Sequence, residues 1–233
     1  MLNKKDNTVR VVTDNKTILE SYPIEKYIKH RPSYFKNAPS KIQFDDEVVP
    51  FKTAKYCDGF SDYFNTAYLL RWNSDLVIDI NNEDQSYDFF PNISENTYRS
   101  VGFFNSEMYG DQHINKKRYT NIIFKISTNW NLIANKPSRF LVMDPYFNYN
   151  DQGLVMTGIF DAYRFTQVNV MFESYVKQYV IKRGDPAMVL IPLDNQKLIS
   201  DYKTEKDIDH INKRAYNYDT TIYNSYNKMK DIL

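Results

Sequence analysis

Few side chains in this chain of 233 residues are of types that do chemistry in concert. The three histidines, His30, His113 and His210, stand in unrelated contexts, none with a second ligand at helical or hairpin spacing. Solvent-facing or hydrogen-bonded roles are expected of them, and no metal site. The single cysteine, Cys57, precedes Asp58-Gly59 with no histidine near it in sequence, so a buried small hydrophobe is expected ahead of a nucleophile. One cysteine also excludes a disulfide framework and a cysteine-based zinc site. Asp45-Asp46-Glu47 could hold a cation but reads more simply as a solvated loop. Near the C-terminus Tyr216, Tyr218, Tyr223 and Tyr226 lie among Lys213, Arg214, Lys228 and Lys230, and rings interleaved with cations can stack on nucleic-acid bases. A net charge of +1 supplies no electrostatic drive towards a polyanion. A helix face docking on a partner chain or on its own body is therefore the expected use, with Tyr216, Tyr223, Tyr226 and Met229 as contact residues.

The elements that would position any such site are mostly strands. Tyrosine (20) and phenylalanine (15) are abundant and glycine (6) is scarce, which favours sheet and also gives low-entropy contact surface. The richness in Asn, Lys, Ile and Tyr is the mark of AT-rich coding and is discounted as chemistry. A chain 42% hydrophobic at this length buries one sizeable core, most economically as one domain with extensions. Met1–Arg10 has no apolar run and no stretch approaches 18 apolar residues, so neither a signal peptide nor a membrane span is expected and a reducing, intracellular compartment fits.

Along the chain, Thr8–Val12 could pair as an edge strand, and Pro-punctuated aromatic residues from His30 to Pro39 read as an irregular arm. Asp58 is a plausible N-cap for a helix bearing Phe60, Tyr63 and Phe64. Leu76–Ile80 and Ser86–Phe90 read as a hairpin around Asn81–Asp84. Tyr119–Ser127 alternates, with Ile122, Phe124 and Ile126 on one face. Trp130–Ala134 and Arg139–Met143 follow as strands. Leu154–Phe160 reads as one strand; Gln167–Phe172 puts Val168, Val170 and Phe172 on one face. After the turn Lys182–Pro186, the continuous apolar run Ala187–Leu193 reads as a strand covered on both faces, the centre of the core. Beyond it, Ile208, Ile211 and Ala215, then Ile222, Tyr226, Met229 and Leu233, have amphipathic helical spacing.

The order of several segments resembles a family of uncharacterised tailed-phage proteins: RPSYFKNAP, KTAKYCDGFSDYFNTAYLLRWNSDLVIDI, NKPSRFLVMDP, GIFDAYRFTQVNVMF and VIKRGDPAMVLIPL. That likeness covers roughly Arg31 to Leu193 and departs at Asp58, where the pattern has proline. The last two segments are also similar to the dUTPase and dCTP-deaminase superfamily, with Gly158-Ile159-Phe160-Asp161-Ala162-Tyr163 and Gly184-Asp185-Pro186-Ala187 in the places of its two motifs. The second acidic residue of the first motif and the glycine-rich closing arm are missing. This likeness implies a β-clip fold. It offers Asp161 as a carboxylate to position water, with Ser138, Arg139 and Tyr163 as nucleotide-binding residues. The alternative is that Asp161 caps its own turn and Arg139 is a surface or ion-paired group.

The expectation is a mainly β domain, a compact barrel or sandwich of β-clip or jelly-roll type. Residues 1–40 would form an N-terminal arm, 41–193 the β domain and 194–233 a C-terminal helical extension. The first functional expectation, carried by the phage resemblance, is a non-enzymatic phage protein of the host cytoplasm or virion. It would act by self-association or by binding another phage protein, with no cofactor, no membrane and no nucleic acid. The second is a nucleotide-binding or nucleotide-hydrolysing enzyme of dUTPase fold.

Overall fold

The computed structural model describes residues 7–39, 42–44, 47–49, 53–90, 100–105, 118–148 and 150–215, with side chains for all but 42–44, 47–49 and 100–105. The first strands are β1 (Thr8–Thr13), β2 (Glu25–Lys26), β3 (Ile42–Phe44), β4 (Glu47–Val49) and β5 (Tyr68–Arg71). Then come β6 (Leu76–Asn81), β7 (Ser86–Phe90), β8 (Ser100–Asn105), β9 (Ile122–Ile133) and β10 (Arg139–Met143). The last are β11 (Gly153–Val155), β12 (Gly158–Asp161), β13 (Gln167–Ser174), β14 (Gln178–Ile181), β15 (Pro186–Pro192) and β16 (Lys197–Tyr202). Helices are α1 (Lys16–Ser21), α2 (Ser33–Lys36), α3 (Asp58–Thr66) and α4 (residues 205–215).

A six-stranded sheet runs β11-β13-β9-β1-β16, with β8 also on β9, and a five-stranded sheet runs β12-β10-β15-β5-β2. A third, β14-β6-β7, and the pair β3-β4 complete the set. The two large sheets and the third share one apolar core. It holds Val9, Val11, Phe124, Trp130, Val170 and Phe172 from the first, Tyr68, Leu70, Phe140, Met188 and Leu190 from the second, and Ile78, Ile80 and Tyr179 from the third. The Leu198 backbone N–H of β16 donates to the Tyr68 hydroxyl of β5 at 3.1 Å, a buried link between the large sheets. The arrangement is sandwich-like. The barrel alternative is not met: among the described residues no sheet closes on itself, because each path ends on different strands.

The five-stranded sheet is buried on its other face too. Val189 and Leu69 belong to a second cluster with Tyr27, Phe35, Phe64, Ala67 and Phe147. The rings pack closely, with centroids 4.9 Å apart for Phe35–Phe64 and 5.0 Å for both Tyr27–Phe64 and Phe64–Phe147. Thus β15 is covered on both sides, as its unbroken apolar run requires. Arg139–Met143, the β6–β7 hairpin and the inward set Val168, Val170 and Phe172 also stand where the sequence places them. Gly184 takes φ +87° in the turn before β15, where glycine carries no Cβ penalty.

Several expectations are corrected. Thr8–Val12 is no edge and no arm: β1 lies between β9, antiparallel, and β16, parallel, with Val11 and Val12 fully buried. Its partner β16 is more than 180 residues away, so local sequence carries no sign of it. For the same reason the segment after Leu193 does not start as helix; β16 comes first, Leu198 enters the core, and α4 begins only at residue 205. Trp130–Ala134 is mostly the second half of β9, whose first half pairs with β8 and whose end pairs with β1. Leu154–Phe160 is two strands, because the chain leaves β13 after Met156 and joins β10 of the other sheet. Asp58 is the first residue of α3 rather than its cap; Cys57 holds the cap position and is exposed, since the helix starts at the surface.

Val189→Asp or Leu190→Asp should abolish soluble, cooperatively melting protein, since an unpaired charge enters one cluster or the other at a cost of about 3–5 kcal/mol. A chain ending at Leu193 should melt well below the full chain, because β1 then loses the neighbour that makes it interior. Circular dichroism melts of both would check this, and an unchanged melt of the shortened chain would contradict the role of β16.

Candidate binding site beside β12

Where the chain crosses between the large sheets, a cavity of about 530 Å³ opens. Its floor is formed by Lys125 of β9 with Gln167, Asn169 and Met171 of β13, the positions that alternate with core residues and so point away from the main core. One wall is the unbroken run Met156–Phe160, the crossing and the start of β12, with Val142 of β10 beside it; the turn residues Arg164–Thr166 and the last described residues of α4, Arg214 and Ala215, form the rest. Ile159 is 60% exposed at its rim. The volume and the mixture of apolar body with a few polar groups are those of a ligand site.

Three cations, Lys125, Arg164 and Arg214, line the cavity, and among the described residues no acidic side chain does. Each arginine is set in place by a residue that the sequence singles out. Asp161 Oδ2 lies 3.5 Å from Arg164 Nε, and the Arg214 guanidinium stacks 3.9 Å over the Tyr163 ring. The Asp161 Oδ1 atom accepts the Tyr163 N–H at 2.9 Å and its carbonyl accepts from Arg164 and Phe165, so Asp161 holds a turn. Arg139 is the register partner of Asp161 across β10 and β12, but its guanidinium turns to Asp194 at 3.7 Å. Ser138 is fully buried, and its hydroxyl donates to the Lys136 carbonyl at 3.0 Å. The structure therefore brings Asp161 and Tyr163 to the cavity as supports for cations, and leaves Ser138 and Arg139 outside its lining.

Helix α4 delivers Arg214, and a polar anchor fixes its rotation. Thr204 and Asp207 form a capping box: Asp207 Oδ2 accepts from the Thr204 N–H and hydroxyl, both at 2.8 Å. Arg10 of β1 donates to Asp207 Oδ1 at 2.7 Å and to Asp201 at 2.9 Å. The half-buried side of α4 is thus Asp207, His210, Ile211 and Arg214, while Ile208 is 45% exposed and Ala215 exposed. That corrects the apolar stripe Ile208, Ile211, Ala215 read from spacing; the charge anchor, invisible without Arg10, decides the rotation. Burial pushes the Asp207 carboxyl up, but the bonds from Thr204 and Arg10 outweigh it and hold the group below the usual carboxylate range.

The remaining candidates scatter. His30 lies 3.0 Å from Glu25 Oε2, and His210 sits on α4 with burial and the nearby Arg214 holding its proton affinity down. His113, Asp45, Asp46, Tyr216, Tyr218, Tyr223, Tyr226, Met229, Lys228 and Lys230 lie outside the described residues. Among the described residues no three His, Cys, Asp or Glu side chains come together as a metal site, and no helix is long and apolar enough to cross a membrane. A second cleft, near Tyr34, Asn150 and Gln152, has its amides engaged in the fold itself. Asn150 donates to the Tyr179 hydroxyl, and Gln152 brackets the Val180 backbone with bonds of 2.7 and 3.1 Å. Sequence alternation shows that Gln167, Asn169 and Met171 face outward; nothing in it shows that Lys125, Met156 and Arg214 meet them. Comparison with protein-family models and with curated proteins finds no match.

Because the Asp207 carboxyl is held low, its contribution to stability is fully present above the unfolded value of about 3.9 and is lost as pH falls through the folded value. Asp207→Asn should therefore melt below the parent chain near neutral pH, the gap narrowing below about pH 4. Calorimetry at several pH values checks this, and a gap independent of pH would contradict the ionic anchor.

Proposed function

We propose that this chain works without catalysis, by associating with a second copy or with another protein through the cavity and the strand beside it. One observation carries the reading: the cavity is apolar and cationic, and it lies against β12, the last strand of its sheet among the described residues, with Ile159 exposed at its rim. An uncovered strand edge with exposed apolar side chains is a site where chains add to one another. Among the described residues the lining holds cations, amides and two threonines but neither carboxylate nor histidine to draw a proton from water. It is a set of groups suited to hold a partner. The setting, a phage particle or its assembly in the host cytoplasm, rests on the resemblance of sequence segments, as does a β-clip or jelly-roll relationship. The nucleotide-enzyme alternative is weaker, because Asp161, Ser138 and Arg139 are each engaged elsewhere.

Ile159→Asp should lower the association mass seen by sedimentation across micromolar concentrations. As an exposed substitution it should change stability by no more than about 0.5 kcal/mol. A mass that does not respond to this change would remove self-association through β12 and leave the hetero-partner. No pyrophosphate release above background is expected with dUTP or dCTP, and turnover lost in Asp161→Asn would overturn the non-enzymatic reading.

A further inference from the structure

Helix α4 has eleven described residues, a length that is marginal for an isolated helix and needs a packed face to persist. Its inner side offers little apolar packing. Asp207 is buried and His210, Ile211 and Arg214 are half-buried, so one apolar side chain stands among three polar ones. What seats the helix, among the described residues, is polar at both ends. At its start Asp207 accepts from Thr204 and from Arg10; near its last described residue the Arg214 guanidinium stacks on the Tyr163 ring.

His210 lies between these two anchors, about one turn from each. Its Nε2 atom is buried and has no hydrogen-bond partner among the described residues. A neutral imidazole can leave that nitrogen as a bare lone pair. The protonated ring must carry an N–H there, and a buried donor without an acceptor is costly. The proton would also bring a third positive charge beside Arg214 and Lys213, both of which act against it. Asp207 acts in its favour, yet both Asp207 oxygens already accept bonds, Oδ1 from Arg10 and Oδ2 from Thr204. On the surrounding elements Asp201 of β16 is paired with Arg10, Asp161 is paired with Arg164, and Lys125 of β9 shares the cavity with Arg214. The remaining acids of the helix, Glu205 and Asp209, are exposed.

We propose that α4 is a latch released by acid: uptake of a proton by His210 lifts the helix from its seat and withdraws Arg214 and Ala215 from the cavity wall, whatever the cavity holds. Burial and the Arg214 cation keep the proton affinity of the ring below its ordinary value while the helix is seated. A group held low in this way leaves seating intact above the free histidine value of about 6.5 and weakens it as pH falls from there through the seated value. Asp207 does not share that window, because its carboxyl is held below the usual carboxylate value of about 4.

The test is NMR of the isotope-labelled full chain from about pH 8 to about pH 5, across the histidine range. The His210 ring signal is the one lost in His210→Asn, and the carbon shifts of residues 205–215 report the helix. In the parent chain the helical shifts should fade as the His210 ring takes up its proton, with one shared midpoint. In His210→Asn they should persist to about pH 5. Lys213→Glu puts a carboxylate in place of a repelling cation, so it should hold the helix to lower pH. Protonation of His210 with the shifts of 205–215 unchanged would overturn the latch, as would a release that survives in His210→Asn. Should His210→Asn lack the helix even at about pH 8, Lys213→Glu decides alone: a release midpoint that it leaves in place would overturn the proposal.

Discussion

Two-sided burial of β15 is the constraint on which the rest of the structure depends. Met188 and Leu190 face the core between the sheets, Val189 the aromatic cluster behind it. A strand so apolar is stable only if something covers each face. On one side the cover is the six-stranded sheet; on the other it is α3, Tyr27, Phe35 and Phe147, of which Tyr27 and Phe35 come from the segment that reads as an arm. The Tyr27 hydroxyl accepts from Asn148, so the cluster closes over a satisfied polar atom. Burial drives the Tyr27 hydroxyl well above the ordinary tyrosine range and pushes Tyr63 up to about 12.

What was legible in the sequence was whatever is set by local pattern. The run from Ala187 to Leu193, the alternation of Val168, Val170 and Phe172, and the turn-bounded β6–β7 hairpin each carry their own period, and period decides the face. What was illegible was set by partners far along the chain. Thr8–Thr13 looks like a weak edge until β16 covers its outer side, and residues 197–202 look like the start of a helical tail until β1 pairs with them. Leu154–Phe160 has one composition and two destinations, because a switch of sheet at Met156-Thr157 leaves no mark on hydrophobic pattern. The same blindness applied to the site. The sequence likeness implies a nucleotide chemistry for Asp161, whereas its geometry is that of a turn residue holding Arg164.

The crossing at Met156-Thr157 ties the fold to the cavity. Consecutive strands β11 and β12 end different sheets among the described residues, and the outward residues of β13 line one cavity together with the run Met156–Phe160. Arg10 and Asp207 hold α4 so that Arg214 closes one side of that cavity. The cationic character thus comes from three separate parts of the chain, and the net charge of +1 conceals it.

The most direct measurement is amide hydrogen exchange read by mass spectrometry on the full chain at low and at high concentration. The account predicts rapid exchange in fragments covering Gly158–Asp161 at low concentration and slowed exchange there at high concentration, while fragments covering Pro186–Pro192 stay protected at both. Exchange at Gly158–Asp161 that is already slow at low concentration, or that ignores concentration, would contradict self-association through β12.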